Sequence, residues 1–300
     1  MFNFIKNIDM NIIIWVLLIQ VIIIAILIIM ILKIKNKNNK STKFFETEKL
    51  EFKSSMDLHI GKRNNQEDAI SFSDKYKEKM NVDLIGVLCD GMGGIEKGEI
   101  ASSMAVKEIK GLLSNVKETH IEKEIEAALI QISNKIYDLS LKSSVPGGIG
   151  TTIIVIVIKN GKLYWSSIGD SRLYLYRQNK LTLINEEHNY LNSLLEKVLL
   201  EKITREEAFN DKDREKLTSY LGQKNINKID SCTNPLKLRY KDVLLMCSDG
   251  VYGTLKDKEI KDILDLTPIE KVSEHCIKAV NQHNKPHQDN MSVVAVEYLN

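Results

Sequence analysis

The sequence predicts an α+β layered domain carried behind a single transmembrane helix. Three observations lead there. Residues 11–32 form an apolar, charge-free run; strand-like stretches occur in runs; and stretches with helical spacing come in pairs, 100–113 with 121–141 and 260–264 with 272–280. Grouped strands and grouped helices argue against a strictly alternating parallel sheet.

Taken in order, residues 1–10 form a short N-terminus outside the membrane. Residues 11–32 are rich in Ile, Leu and Val and are interrupted only by Gln20. At about 1.5 Å per residue that length crosses a hydrocarbon core of roughly 30 Å. A cleaved signal peptide would have a shorter apolar stretch, of about 7–15 residues, and a small-residue cleavage site, and neither is present. Lys33, Lys35, Lys37, Lys40 and Lys43 follow the run and only Lys6 precedes it. The positive-inside rule therefore places everything after Leu32 in the cytoplasm, as a single-pass protein of the cell membrane. Residues 33–50 read as a basic juxtamembrane linker able to touch anionic lipid, and 51–300 as the folded domain.

Within that domain, residues 83–89 have strand length and apolarity. Residues 151–158 are almost wholly β-branched, and Gly161 separates them from a second run at 163–168, as in a hairpin. Residues 172–176 and 181–184 continue the β pattern, and 242–247 and 291–298 resume it. Between them, 189–220 turn charged and helical with little to bury, an excursion from the core that reads as a flap.

The chain has 300 residues, with 42 Lys and Arg against 40 Asp and Glu. Residues 1–52 hold seven lysines and four acids, so the remaining 35 cations and 36 anions nearly cancel. No basic stripe is left for nucleic acid. The four cysteines show no CxxC spacing, and Cys89 and Cys247 fall inside apolar runs as reduced core residues.

Four aspartates, each at the edge of a strand-like run, carry the chemistry. They are Asp68 in Arg63-Asn64-Asn65-Gln66-Glu67-Asp68, Asp90 in Asp90-Gly91-Met92-Gly93-Gly94, Asp249 in Ser248-Asp249-Gly250, and Asp289 in Gln288-Asp289-Asn290-Met291. Carboxylates at strand ends converge, and converging carboxylates stay ionised only where a cation neutralises them. Oxygen ligands without a Cys/His cluster favour Mg²⁺ or Mn²⁺ over zinc. The glycines after Asp90 allow a tight turn that could aim a carbonyl at the same ion. A phosphate-binding loop at 93–98 is excluded because Glu99 stands where Lys is needed, and a dinucleotide fingerprint because Glu96 holds the third glycine position. Arg63 is either a surface charge paired with Glu67 or Asp68, or a clamp on a phosphate oxyanion. His283 and His287 are four apart, but Pro286 breaks the helix that would aim both at a zinc ion, so a polar loop is expected there.

These segments, together with Gly150-Thr151-Thr152 and Gly169-Asp170-Ser171-Arg172, occur in one order from about residue 51 to 298. In that order they resemble the bacterial branch of the type-2C, metal-dependent serine/threonine protein phosphatases. The resemblance extends to the polar stretch around His188 and to Ile203-Thr204-Arg205-Glu206-Glu207-Ala208, similar to the family's flap. It implies an α-β-β-α sandwich of two antiparallel sheets flanked by helices. It implies two Mg²⁺ or Mn²⁺ ions with Asp90 bridging them, Glu67 and the Gly91 carbonyl on one, and Asp249 and Asp289 on the other. Asp170, with Asp249, matches a position that holds a third ion in bacterial members. Arg63 would grip the substrate phosphate and Asp68 would orient the attacking water. The reaction implied is in-line attack on phospho-Ser/Thr by a water that two metals activate, with phosphorylated proteins, the products of a serine/threonine kinase, as partners. Gln66 replaces the family's commoner Asn, and Met92 replaces a histidine proposed as general acid in some eukaryotic relatives. The alternative is a catalytically silent phosphoprotein-binding or scaffold domain on the same fold, and a regulatory phosphatase acting on sigma-factor partners is a third reading.

Overall fold

The computed structural model describes Gln20 and residues 52–75, 78–93, 97–116, 120–143 and 148–300. The chain divides into two units, Met1–Lys49 and Leu50–Asn300, and the second contains the elements below. The apolar run 11–32 lies, but for Gln20, outside the described residues. Among the described residues no helix is long and apolar enough to cross a membrane.

Two antiparallel sheets form. The larger one orders β10 (Leu236–Lys237), β6 (Lys162–Ile168), β5 (Ile153–Lys159), β3 (Leu84–Gly93) and β2 (Asp68–Asp74), with β4 (Ile149–Thr151) on the far end of β3 and β9 (Asp230–Ser231) on β6. The smaller one orders β1 (Phe52–His59), β12 (Met291–Tyr298), β11 (Val243–Cys247), β7 (Arg172–Arg177) and β8 (Lys180–Leu183). The sheets pack face to face. Successive side chains of a strand point to opposite faces: on β5, Ile154, Ile156 and Ile158 enter the layer between the sheets, whereas Ile153, Val155 and Val157 face outward. On β11, Leu244 and Met246 point inward while Val243, Leu245 and Cys247 point outward. Both faces are covered, so these strands are apolar throughout and show no alternation with polar residues.

Helices close the outer faces. α1 (Lys97–Leu113) and α2 (Ile121–Lys142) lay Ala105, Ile109, Ile125, Leu129 and Ile132 on the larger sheet. α6 (Asp257–Leu266) and α7 (Val272–Gln282) lay Ile260, Val272, Cys276 and Val280 on the smaller one. This is the α-β-β-α arrangement expected. α3 (Tyr190–Leu199) and α4 (Arg205–Asn210) stand outside those layers, as the charged composition of 189–220 leads one to expect, and each buries one residue, Leu194 or Ala208. The short α5 (Asp249–Tyr252) follows β11 directly.

One expectation changes, and two strands form that no pattern announced. The chain does not turn at Asp90: β3 continues through Gly93, because β4 pairs with Gly91, Met92 and Gly93. β1 and β2 have no strong pattern of their own, and the edges of β12 and β3 make them strands. The four cysteines are free and buried. His283 ends α7 and lies 3.3 Å from Glu259, while His287 sits in the turn after Pro286, so the two histidines occupy the polar loop expected of them.

Ile156 is fully buried between the sheets. Ile156→Ala should lower unfolding free energy by about 2–5 kcal/mol, read by urea denaturation. A loss under about 1 kcal/mol would mean this layer is not tightly packed.

Candidate active site

The strand pairings bring the acids together. In the β2–β3 register Asp68 lies directly across from Asp90. In the smaller sheet the end of β11 lies beside the start of β12, so Asp249 and Asp289 meet. Ser248 joins the two sheets: its hydroxyl donates to Asp68 Oδ2 at 2.9 Å and accepts from the Ser292 amide at 3.0 Å. Gly250 must be glycine, since a Cβ there would stand 1.9 Å from the Asn290 carbonyl oxygen. Gly91 is similarly confined. A Cβ would meet the carbonyl oxygens of Gly98 at 2.3 Å and Glu67 at 2.5 Å, and the Gly91 amide donates to that Glu67 oxygen. Close approach of backbones, and no turn, explains this glycine.

Polar neighbours hold the acidic segments in place. The Asp90 amide donates to Thr152 Oγ1 (3.1 Å), and its carbonyl accepts from the Thr152 amide (2.8 Å) and Thr151 Oγ1 (2.9 Å). Asn290 accepts from the Glu67 amide at 2.7 Å and donates to the carbonyls of Ile60 and Asn65 at 2.8 and 3.0 Å. It thereby fixes the loop that carries Arg63 and Glu67. Asp170 follows Gly169, whose amide donates to His188 Nδ1 and whose carbonyl accepts from the His188 amide. The motifs had contained Thr151, Thr152, Ser248 and Asn290 without giving them a task; Ser248 and Asn290 adjoin Asp249 and Asp289 in the sequence, whereas the two threonines reach Asp90 only through the fold.

Arg63, Glu67, Asp90, Gly91, Asp170, Asp249 and Asp289 line one cavity of ≈ 280 Å³. Asp68 stands behind the wall, 5 % exposed. Arg63 bonds neither Glu67 nor Asp68. Its Nη2 donates to Asp289 Oδ2 at 2.5 Å, and its side chain is 57 % exposed at the rim.

The electrostatics are those of crowded anions. Burial, then the charges of Asp68 and Asp249, holds Asp90 well above its ordinary range. Burial with neighbouring charge pushes Asp68 and Asp170 up to about 7 and Asp249 to about 6, and burial raises Glu67. Asp249 takes some relief from a hydrogen bond with Asp90. As they stand, no three His, Cys, Asp or Glu side chains among the described residues make a ready ligand cage. The donor set nonetheless fits hard divalent cations. All of its members are oxygens, five of its carboxyls are driven toward protonation by one another and by burial, and buried Asp68 Oδ1 has no hydrogen-bond partner.

The excursion 189–220 closes over one side. It leaves at His188 and returns at Thr218, whose amide donates to the His188 carbonyl at 2.8 Å. The Tyr190 amide donates to Lys216 at 2.9 Å, and this return brings Glu215 and Leu217 to the cavity wall. Tyr252, which no sequence pattern singled out, has its hydroxyl beside Asp170, while the Arg172 guanidinium lies 3.9 Å from its ring centroid.

Residues 57–289 match the family model described as protein phosphatase 2C. The serine/threonine phosphatase of Listeria welshimeri is 29 % identical over 227 residues, covering 74 % of this chain and 87 % of that protein. The protein phosphatase PhpP of Streptococcus pneumoniae is 30 % identical over 239 residues, covering 78 % of this chain and 92 % of that protein. The solved S. agalactiae serine/threonine phosphatase has a TM-score of 0.73 at 26 % identity, covering 83 % of this chain and all of that one.

These carboxyls have raised pKa values in the folded state. What they contribute to stability is complete below the ordinary aspartate value of 3.8 and is lost as pH rises through about 6–7. Cations bind the deprotonated form, so Mn²⁺ should raise Tm by about 5 °C or more at pH 8 and much less at pH 5.5. Differential scanning calorimetry checks this, and an equal Mn²⁺ effect at both pH values would contradict it.

Proposed function

Because this chain belongs to the protein phosphatase 2C family and is a protein phosphatase, we propose that it hydrolyses phosphoserine and phosphothreonine in proteins with divalent cations held around Asp90. The observation that carries the proposal is the convergence of Glu67, Asp90, Asp170, Asp249 and Asp289 on one cavity with an arginine at its rim.

The residue roles are those the family resemblance implies, and the shared cavity supports them. Asp90 would bridge two Mg²⁺ or Mn²⁺ ions; Glu67 and the Gly91 carbonyl would hold one, Asp249 and Asp289 the other, and Asp170 with Asp249 a third. When bound, such cations neutralise the acids, withdraw charge from phosphate oxygens and make water available as hydroxide near neutral pH. Arg63 reaches the cavity from its exposed rim, and its planar fork suits a phosphate oxyanion as well as the Asp289 carboxylate it now bonds. It would grip the phosphate and absorb charge on the equatorial oxygens during in-line attack. Asp68, held by Ser248 behind Asp90, would orient the attacking water. Met92 lines the cavity, and its thioether has no proton to give the leaving oxygen. None of the cysteines serves as nucleophile: burial raises the thiols of Cys89, Cys232, Cys247 and Cys276.

The same reading places residues 11–32 across the cell membrane and the catalytic domain in the cytoplasm, where products of a serine/threonine kinase are its substrates. The lysines that follow the apolar run support that orientation.

Asp249→Ala should lower Mn²⁺-dependent hydrolysis of p-nitrophenyl phosphate at least about 100-fold while circular dichroism shows a folded protein. Turnover near the wild-type value would break the assignment, and a folded wild-type protein with no turnover would point to the silent phosphoprotein-binding domain. Arg63→Ala should chiefly raise KM for a phosphopeptide, by about tenfold or more, as expected for a charge-assisted contact; unchanged KM and kcat would remove it from the site. Deleting residues 1–43 should move the protein from the membrane fraction to the soluble one with turnover retained. A full-length chain found in the soluble fraction would overturn the anchor.

A further inference from the structure

A second cavity, of ≈ 520 Å³, opens beside the catalytic one and shares Asp170, Glu215 and Asp249 with it. Its walls are α3 of the excursion on one side and the Tyr252–Gly253 turn on the other. Beside Asp170 and Asp249, the charged groups on these walls already have partners. Arg172 is held by Glu187 at 3.1 and 3.3 Å and by the Tyr174 hydroxyl at 3.1 Å. Arg214 donates to Glu215 at 2.9 Å and to the Phe209 carbonyl at 2.8 Å. Lys285 donates to the Gly253 carbonyl at 2.6 Å. The amides are engaged too: Asn189 caps α3 through the Asn192 amide, and the Asn192 side chain donates to the Glu187 carbonyl. Among these polar groups the groove also offers a newcomer apolar surface. Leu191 and Leu195 lie four apart on the same side of α3, each half-buried, and face a cavity whose other wall carries Tyr252; Leu194 is turned into the body and fully packed.

A third cavity, of ≈ 250 Å³, also reaches Asp249 and Asp289, but glycines and polar or charged residues supply its other walls, with no apolar side chain. The two grooves leaving the catalytic centre thus differ in chemistry, and only the larger can desolvate a hydrocarbon side chain.

We propose that the groove between α3 and Tyr252 is a specificity subsite that takes an apolar side chain next to the phosphorylated residue of an extended substrate segment. The proposal rests on the phosphatase reading above, since continuity with the cavity that takes the phosphate is what puts a substrate chain at the groove. Neighbouring residues of an extended chain are about 3.3 Å apart along its axis, so a peptide with its phosphate beside Arg63 and Asp249 must lay its flanking side chains against the adjoining walls. Leu191 and Leu195 are then specificity-determining residues. Arg172 and Arg214 already bond Glu187 and Glu215, which lowers what these cations offer an acidic neighbour.

The test uses the full-length chain in detergent with Mn²⁺, p-nitrophenyl phosphate, and synthetic phosphothreonine peptides carrying Ala, Leu, Lys or Glu at each of the two positions before and after the phosphothreonine. Wild type should prefer Leu over Ala at one flanking position by about tenfold in kcat/KM. Leu195→Ala and, independently, Leu191→Ala should reduce that ratio to under about threefold, while Leu195→Met, which keeps the volume, retains it. A flat profile, a stronger preference for Lys or Glu, or a Leu preference that survives both alanine variants would overturn the subsite and leave the phosphatase reading standing. No turnover of either p-nitrophenyl phosphate or any peptide by wild type would overturn both.

Discussion

Negative charge crowded around Asp90 is the constraint that the rest of this domain accommodates. Like-charged carboxylates a few ångströms apart, partly withdrawn from water, repel strongly enough to force protons or cations into the site. Left to side chains alone such a cluster would spread apart. The domain prevents this by building each acid into, or directly beside, a strand whose neighbours are fixed by ladder hydrogen bonds. Asp68 and Asp90 are register partners, and Asp249 and Asp289 flank a second pair of strands. The repulsion is therefore borne by two buried sheets, whose apolar layers resist displacement far more than an exposed loop would.

The polar residues around the site have work that follows from this. Thr151 and Thr152 grip both sides of the Asp90 peptide, Asn290 fixes the loop of Arg63 and Glu67, and Ser248 carries one hydrogen bond from the smaller sheet to Asp68 in the larger. Each is a short side chain whose hydrogen bonds meet backbone groups or a carboxylate that no ladder reaches. Gly91 and Gly250 serve the same end by letting backbones come closer than a Cβ permits. The result is an acidic floor built into the sheets, with the Arg63 guanidinium more than half exposed at its rim.

Above that floor stands a thinly buried part of the fold. The excursion with α3 and α4 buries little, and its root is tied through His188 to Gly169, next to Asp170. A segment held at its root, with few buried side chains of its own, can differ in sequence without disturbing the sheets. It is a natural place to set what lies beside the phosphate, and the apolar side that α3 turns to the groove does so.

Much of the domain could be read from one-dimensional pattern. The unbroken β-branched run at 151–158 had to be a strand covered on both faces, because only that environment rewards apolar residues at every position. The spacings at 100–113, 121–141 and 272–280 had to be helices with one buried side, and the ordered acidic motifs named the cavity's residues before their distances were known. What the pattern lacked was partnership. β1 and β2 are strands only because β12 and β3 offer them edges. β3 runs on through Gly93, where a turn was expected, because β4 pairs with it from almost sixty positions away. Arg63 bonds Asp289, from the far end of the chain, in place of its neighbours Glu67 and Asp68, and Tyr252 reaches Asp170 without any motif to announce it. Local sequence fixes which face of an element is apolar, through periods of 2 and 3.6 residues. Which face, carboxylate or ring it meets depends on contacts between residues distant in the chain, and only the packed tertiary structure decides those.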